Sequence, residues 1–195
     1  ETERCRRRPL IEGKTMYNDV IMAGFGGQGI MLIGNLLAYA AILEDKNVTF
    51  LPSYGVEMRG GTANCSVVID KRPVGSPIVG RPMSLIIMNR PSLIKFEPRM
   101  KPGGVVILNK TLVSVDVSER DDIDLVALDL NALAEESAGN SRLANMVALG
   151  AYVQKSGVVA VASVSAALQD ALNPKYHKMI PANQKAIEAG AAAVA

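Results

Sequence analysis

Gly24-Phe25-Gly26-Gly27-Gln28-Gly29 follows the short apolar run Val20-Ile21-Met22-Ala23 and opens into a longer one from Ile30 to Leu43. Strand, glycine turn, helix is the order in which a G-x-G-x-x-G pattern has physical meaning. Glycine lets the backbone turn tightly and approach its neighbours closely. The helix start leaves unpaired N–H groups and a positive dipole end aimed at phosphate or carboxylate. Gly24, Gly26, Gly27, Gln28 and Gly29 are therefore candidate binding residues. A dinucleotide site also calls for an acidic residue about 20 residues further on, at the end of the second strand. That strand reads Val48-Thr49-Phe50-Leu51 and ends in Pro52-Ser53, with no carboxylate, while Glu44 and Asp45 precede it and end the helix. The turn is Rossmann-like, with poor credentials for NAD or FAD.

The second informative stretch is Pro52-Ser53-Tyr54-Gly55-Val56-Glu57-Met58-Arg59-Gly60-Gly61-Thr62. It follows the second strand, at the carboxyl edge of the sheet, where open α/β sheets bind ligands. A loop this rich in glycine costs conformational entropy that a simple connector need not incur. Tyr54, Glu57, Arg59, Gly60 and Gly61 join the candidate site. The competing reading is a Glu57–Arg59 ion pair that only folds the loop.

The helix after the turn is apolar on almost every face, which requires packing between layers or cover by another chain. Leu85-Ile86-Ile87-Met88 and Val105-Val106-Ile107-Leu108 lack polar alternation and suit parallel strands covered on both faces. Leu125-Val126-Ala127-Leu128 reads as one more strand. Thr62 to Ile69 alternates and reads as a half-buried strand placed toward an edge. Pro91 starts a short helix, and Lys101-Pro102-Gly103-Gly104 turns the chain back into the sheet. Beyond residue 130 the pattern is helical: Asn140-Ser141 caps a helix stopped at Gly157, Ser163 caps one through Leu172, and Pro181 opens a last one. The fold class is α/β, a Rossmann-like open, mostly parallel sheet flanked by helices, with a helical C-terminal third.

Residues 1–17, with Arg4-Cys5-Arg6-Arg7-Arg8-Pro9, read as a flexible basic extension or a partner-docking arm, and 18–195 as a single domain. A net charge of +2 and the absence of Trp give no mandate for nucleic acid. No apolar run reaches the roughly 20 residues of a membrane span. Cys5 and Cys65 are the only cysteines, too few for a four-cysteine cluster, and this low usage favours a cytoplasmic setting. Gly75-Ser76-Pro77-Ile78-Val79-Gly80-Arg81-Pro82 has P-loop spacing, but Arg and Pro replace the Lys and Ser/Thr that the chemistry needs. His177, the only histidine, has no second imidazole with which to share a metal and reads as a surface residue.

The chain resembles the gamma subunit, or fused gamma domain, of 2-oxoacid:ferredoxin oxidoreductases. The resemblance rests on Gly24 to Gly29, Ser53-Tyr54-Gly55-Val56-Glu57-Met58-Arg59-Gly60-Gly61, Ser76-Pro77, Lys101-Pro102-Gly103-Gly104, Asn145-Met146-Val147-Ala148-Leu149-Gly150 and a stretch from Asn183 to Gly190, in order. Val56 stands where proline is common, and Met83 where an aspartate often follows Pro82. The resemblance implies a complex that converts a 2-oxoacid and coenzyme A to acyl-CoA, carbon dioxide and reduced ferredoxin. It implies thiamine diphosphate, magnesium and iron–sulfur clusters in alpha, beta and delta-type partner subunits, ferredoxin as electron acceptor, and coenzyme A handling in the gamma part. This chain alone is expected to hold no cofactor and to be inactive, with no catalytic residue and no metal ligand of its own. Phe25 and the Ser53-Tyr54-Gly55 loop look more like the 2-oxoglutarate or branched-chain types than the pyruvate type, and 2-oxoglutarate is favoured. The alternatives are a non-catalytic assembly module or the equivalent subunit for branched-chain 2-oxoacids, pyruvate or indolepyruvate. The apolar helices from Ile30 to Leu43 and from 143 to 153 imply a large partner interface, and a homodimer or aggregation when the chain is alone.

Overall fold

β1 (Asn18–Phe25) runs through the glycine turn into α1 (Ile30–Leu43), and the chain returns as β2 (Asn47–Tyr54) and β3 (Thr62–Asp70). β4 (Ser84–Ile87), α2 (Arg90–Phe96), β5 (Val105–Asn109) and β6 (Asp124–Leu128) follow. The C-terminal third is α3 (Leu130–Ala138), α4 (Ala144–Ser156), α5 (Val161–Ala171) and α6 (Ile180–Ala192). These elements come from a computed structural model that describes residues 17–54, 61–115, 118 and 120–195. The expected basic extension, apart from Tyr17, lies outside the described residues, as do Glu57, Arg59 and Gly60.

The sheet order is β2-β3-β1-β4-β5-β6. β1, β4, β5 and β6 pair in parallel, while β3 is antiparallel to both β1 and β2. Five of the six strands thus point one way, the mostly parallel arrangement expected. β3 is a correction. The structure sets it inside the sheet, between β1 and β2, and leaves β2 at the edge. One face is closely covered along its length, with Ala63, Cys65, Val67 and Ile69 all buried, while the other is open at Thr62, Asn64 and Ser66 and becomes covered at Val68 and Asp70. The closeness shows at Gly34 in α1, where a Cβ would stand 2.5 Å from Cys65 Sγ and 2.8 Å from the Phe50 ring.

Alternate residues of the central strands feed two cores. Val20, Met22, Ile86 and Ile107 join the α1 residues Ile33, Leu36 and Leu37 and the C-terminal helices. Ile21, Ala23, Leu85, Ile87, Val106 and Leu108 join Leu93 and Phe96 of α2. Burying each large aliphatic side chain contributes about 1.5–3 kcal/mol.

α1 is packed between layers, against β3 and β2 on one side and α5 on the other. α4 is buried along its length from Ala144 to Val153, between the sheet and α6. The apolar sequences of these two helices predict faces offered to a partner. The chain covers most of those faces itself and leaves Ile42 and Leu43 exposed at the end of α1, so the apolar length of these helices is explained mainly by packing within the chain.

α5 begins at Val161, two residues ahead of Ser163. Its cap comes from elsewhere in the chain: Glu44 at the end of α1 accepts the Ala160 N–H at 2.7 Å and the Lys46 ammonium at 2.7 Å. Gly157 takes φ 60° to end α4, as its position after the apolar run predicts. His177 is half-buried and tied in rather than free, with Nε2 at 3.0 Å from the Leu172 carbonyl oxygen. No described helix is long and apolar enough to cross a membrane.

Candidate functional site

α1 follows β1 onto one face of the sheet and α2 follows β4 onto the other, because their apolar residues belong to the two different cores. Connections from neighbouring parallel strands that diverge in this way leave a crevice outside the carboxyl ends. A cleft of about 310 Å³ occupies that position. It is lined by Gly27 and Gln28 of the glycine turn, Met88 beyond β4, Asn109 at the end of β5, and Asn131, Ser141 and Arg142 from the helical third.

The glycine turn divides its tasks. Gly24 and Gly29 serve packing: a Cβ at Gly24 would stand 2.5 Å from Gln28 Oε1, and one at Gly29 would stand 2.3 Å from Asn145 Nδ2. Gly29 also takes φ 73° and starts α1 with no side-chain cap. Gly27 takes φ 97° with open space where a side chain would be, and it faces the cleft. Gln28 staples the turn shut, accepting the Phe25 N–H at 2.6 Å and donating Nε2 to the Met88 carbonyl at 3.2 Å.

Among the described residues, the second predicted stretch meets the turn at Gly61. The Gly26 N–H donates to the buried Gly61 carbonyl at 2.9 Å. Tyr54 ends β2 opposite Ala63. Since β3 and β4 flank β1 on opposite sides, Gly61 lies beside the turn on the side away from the cleft. The structure brings together Gly24, Gly26, Gly27, Gln28, Gly29 and Gly61, and of these only Gly27 and Gln28 line the cleft.

Sequence reasoning missed the far wall. Asn109 is fully buried; its Nδ2 donates to Asn131 Oδ1 at 2.9 Å, and its Oδ1 accepts the Thr111 N–H at 3.2 Å. Asn131 Nδ2 donates in turn to the Ser141 carbonyl at 3.1 Å, which holds the 3-10 turn Ser141–Leu143 against the sheet edge. That turn carries Arg142, whose guanidinium is exposed and meets no carboxylate among the described residues. A signal was present: at the end of β5, and one or two residues past the ends of β6 and β4, stands a polar residue (Asn109, Asp129 and Asn89) that accepts a backbone N–H just downstream. Hydrogen bonds from the Thr111 hydroxyl and the Ala132 N–H hold the Asp129 carboxyl below the usual range.

The model of the pyruvate ferredoxin/flavodoxin oxidoreductase family matches residues 19–193. The chain belongs to this family. It is 36 % identical over 175 residues to the ketoisovalerate oxidoreductase subunit VorA of Methanothermobacter marburgensis, covering 88 % of this chain and 35 % of that protein. It is 34 % identical over 158 residues to the 2-oxoglutarate synthase subunit KorC of Methanocaldococcus jannaschii, covering 80 % of this chain and 84 % of that one. The chain thus spans about a third of one curated relative and most of the other. A solved keto/oxoacid ferredoxin oxidoreductase gamma subunit from Geobacter sulfurreducens superimposes with TM-score 0.77 at 28 % identity, over 91 % of this chain and 98 % of that one. The resemblance to gamma subunits drawn from the motifs therefore holds, as does the α/β fold. Membership of the oxidoreductase family accounts for the ordered glycine stretches in a chain that has no dinucleotide carboxylate.

Proposed function

We propose that the chain is the gamma subunit of a complex that oxidatively decarboxylates a 2-oxoacid, with 2-oxoglutarate favoured, and passes the acyl group to coenzyme A. In this reading the cleft beside the glycine turn receives the phosphates of coenzyme A. One observation carries it: Gly27 and Gln28, which lead into the uncapped start of α1, and Arg142, which meets no carboxylate among the described residues, line the same cleft. A helix start and a free guanidinium are complementary to phosphate oxygens. Gly27 lets the ligand approach the backbone, and the Asn109–Asn131–Ser141 chain of hydrogen bonds sets the position of Arg142. In this reading the tasks of this chain are to bind and orient.

Thiamine diphosphate, magnesium and iron–sulfur clusters belong to partner subunits in this reading. No group of three or more His, Cys, Asp or Glu gathers among the described residues. Burial pushes the Cys65 thiol up to about 12, so it is a poor source of the thiolate that a cluster requires. Alpha, beta and delta-type subunits as partners, ferredoxin as acceptor and a cytoplasmic location form part of the same proposal.

The assembly-module alternative draws support from Gly24 and Gly29, whose lack of a side chain is explained by packing alone. Arg142→Ala in the assembled enzyme separates the two readings. A lost charge-assisted contact of about 1.5–3 kcal/mol should raise the KM for coenzyme A roughly 10- to 150-fold, leaving decarboxylation without coenzyme A intact. An unchanged KM in an intact complex removes the cleft from coenzyme A binding.

A further inference from the structure

Residues 71–101 carry seven of the chain's 21 Lys and Arg but only one of its 19 Asp and Glu. That carboxylate, Glu97, is buried and accepts the Ser118 hydroxyl. A chain of net charge +2 therefore concentrates its positive charge in one segment. The fold gathers part of it onto one surface. Val79 is buried in the core beneath α2, with Leu93, Phe96 and Met100. Anchoring Val79 brings Gly80 to the 3-10 turn Glu97–Arg99 that follows α2, where Arg99 donates Nε and Nη2 to the Gly80 carbonyl at 3.2 and 3.0 Å, with Ile78 and Arg81 on either side. Lys95, Arg99 and Arg81 are exposed there, and none has a carboxylate within ion-pair distance among the described residues.

Among these cations stand two exposed aliphatic residues. Ile78 is 74 % exposed, the most exposed large apolar side chain described, and Ile94 on α2 is 56 % exposed. A branched aliphatic side chain held out by a buried neighbour, with an unpaired cationic rim, has the anatomy of a protein-binding patch. Base stacking needs aromatic faces, and the aromatic ring of this region, Phe96, is buried. The surface lies at the end of the sheet away from the cleft, since α2 runs back from the carboxyl edge, so it is separate from the coenzyme A reading.

We propose that the Ile78–Arg81 strap and the end of α2 dock an acidic protein surface whose apolar centre takes Ile78. The occupant is a neighbouring subunit of the complex, so the proposal rests on the gamma-subunit reading. Charge complementarity argues for it: three exposed cations that meet no carboxylate among the described residues complement an acidic surface and would steer its approach.

The test is co-purification and affinity measurement of the chain with its co-expressed alpha and beta subunits, comparing wild type, Ile78→Asp, the double variant Arg81→Glu/Lys95→Glu, and Lys185→Glu on exposed α6 as control. Ile78→Asp should weaken association about 30-fold or more, as a central anchor does. The double reversal should weaken it about 10-fold at low salt, with the difference fading as salt shortens the Debye length. Lys185→Glu should bind as wild type, and unchanged melting temperatures of the free variants show that they fold. Wild-type affinity in both patch variants overturns the docking surface while leaving the gamma-subunit reading in place. Failure of the wild-type chain to associate with either subunit overturns both. Binding of a labelled RNA oligonucleotide that the double variant abolishes, with subunit association unaffected, overturns the proposal in favour of a nucleic-acid face.

Discussion

Gly150 of α4 and Gly190 of α6 mark a reciprocal backbone-to-backbone crossing: a Cβ on either would stand 1.9 Å from a carbonyl oxygen of the opposite helix, Ile187 for Gly150 and Val147 for Gly190. Each glycine fits against the carbonyl three residues before the other. α4 is thereby clamped under α6, while it also packs against α3 and reaches β4 and β5 of the sheet.

Gly150→Ala or Gly190→Ala must separate the two helices, because neither obstacle is a flexible side chain. Overpacking of this kind costs about 1–3 kcal/mol and sometimes more, and a carbonyl at this distance belongs at the upper end. Urea denaturation should show that loss for each variant. Gly75→Ala, with open space at its Cβ and no positive φ, should stay within about 0.5 kcal/mol of wild type.

Glu44 links the end of α1 to the start of α5, and its protonation should weaken that link. Burial acts to raise its pKa, but hydrogen bonds from Lys46, Ser163 and the Ala160 N–H, with the Lys46 charge, outweigh burial and lower it. A carboxyl depressed in the folded state stabilises fully above its unfolded pKa and loses that contribution as pH falls through the folded value. Glu44→Ala should cost about 1 kcal/mol at pH 7, as the loss of a helix cap does. The gap between wild type and variant should close in acid below the normal Glu range, as followed by thermal melts against pH.

Asn109 should matter to the cleft beyond its share of stability. Asn109→Ala strands the Thr111 N–H and the Asn131 amide, costing about 1–3 kcal/mol. If Asn131 then releases the Ser141 carbonyl, Arg142 moves with its turn. The variant should therefore raise the coenzyme A KM in the assembled enzyme. A stability loss with no change in KM would confine Asn109 to the fold.

Arg59 and Glu57 lie outside the described residues, and their roles separate by assay. Arg59→Ala should raise the coenzyme A KM while leaving decarboxylation without coenzyme A nearly intact. If the pair only folds its loop, Arg59→Ala and Glu57→Ala should both loosen subunit assembly with no selective effect on coenzyme A.

The isolated chain should be catalytically silent. With 2-oxoglutarate, coenzyme A, thiamine diphosphate, magnesium and a viologen dye it should give no reduction above blank, and activity should appear on co-expression with its partners. Turnover by the lone chain would contradict the subunit reading.

Local interactions make much of this protein legible in its sequence. The glycine turn between an apolar strand and an apolar helix, the Gly157 stop and the Pro181 start depend on residues within a turn or two of one another, so their chemistry is written in sequence order. The same holds for the doubly covered strands β4 and β5, whose unbroken apolar runs record burial on both faces. Tertiary structure alone decides three other things. Inserting β3 between β1 and β2 depends on pairing with two strands at once, which no local pattern encodes. Enclosing α4 depends on the distant Gly190 presenting no side chain. Gathering Gln28, Asn109, Asn131 and Arg142 round one cleft depends on the strand order and on helices leaving opposite faces of the sheet. Hydrogen bonds and close packing act over a few ångströms of space whatever the separation along the chain, so the folded backbone, and no stretch of sequence, brings those residues into contact.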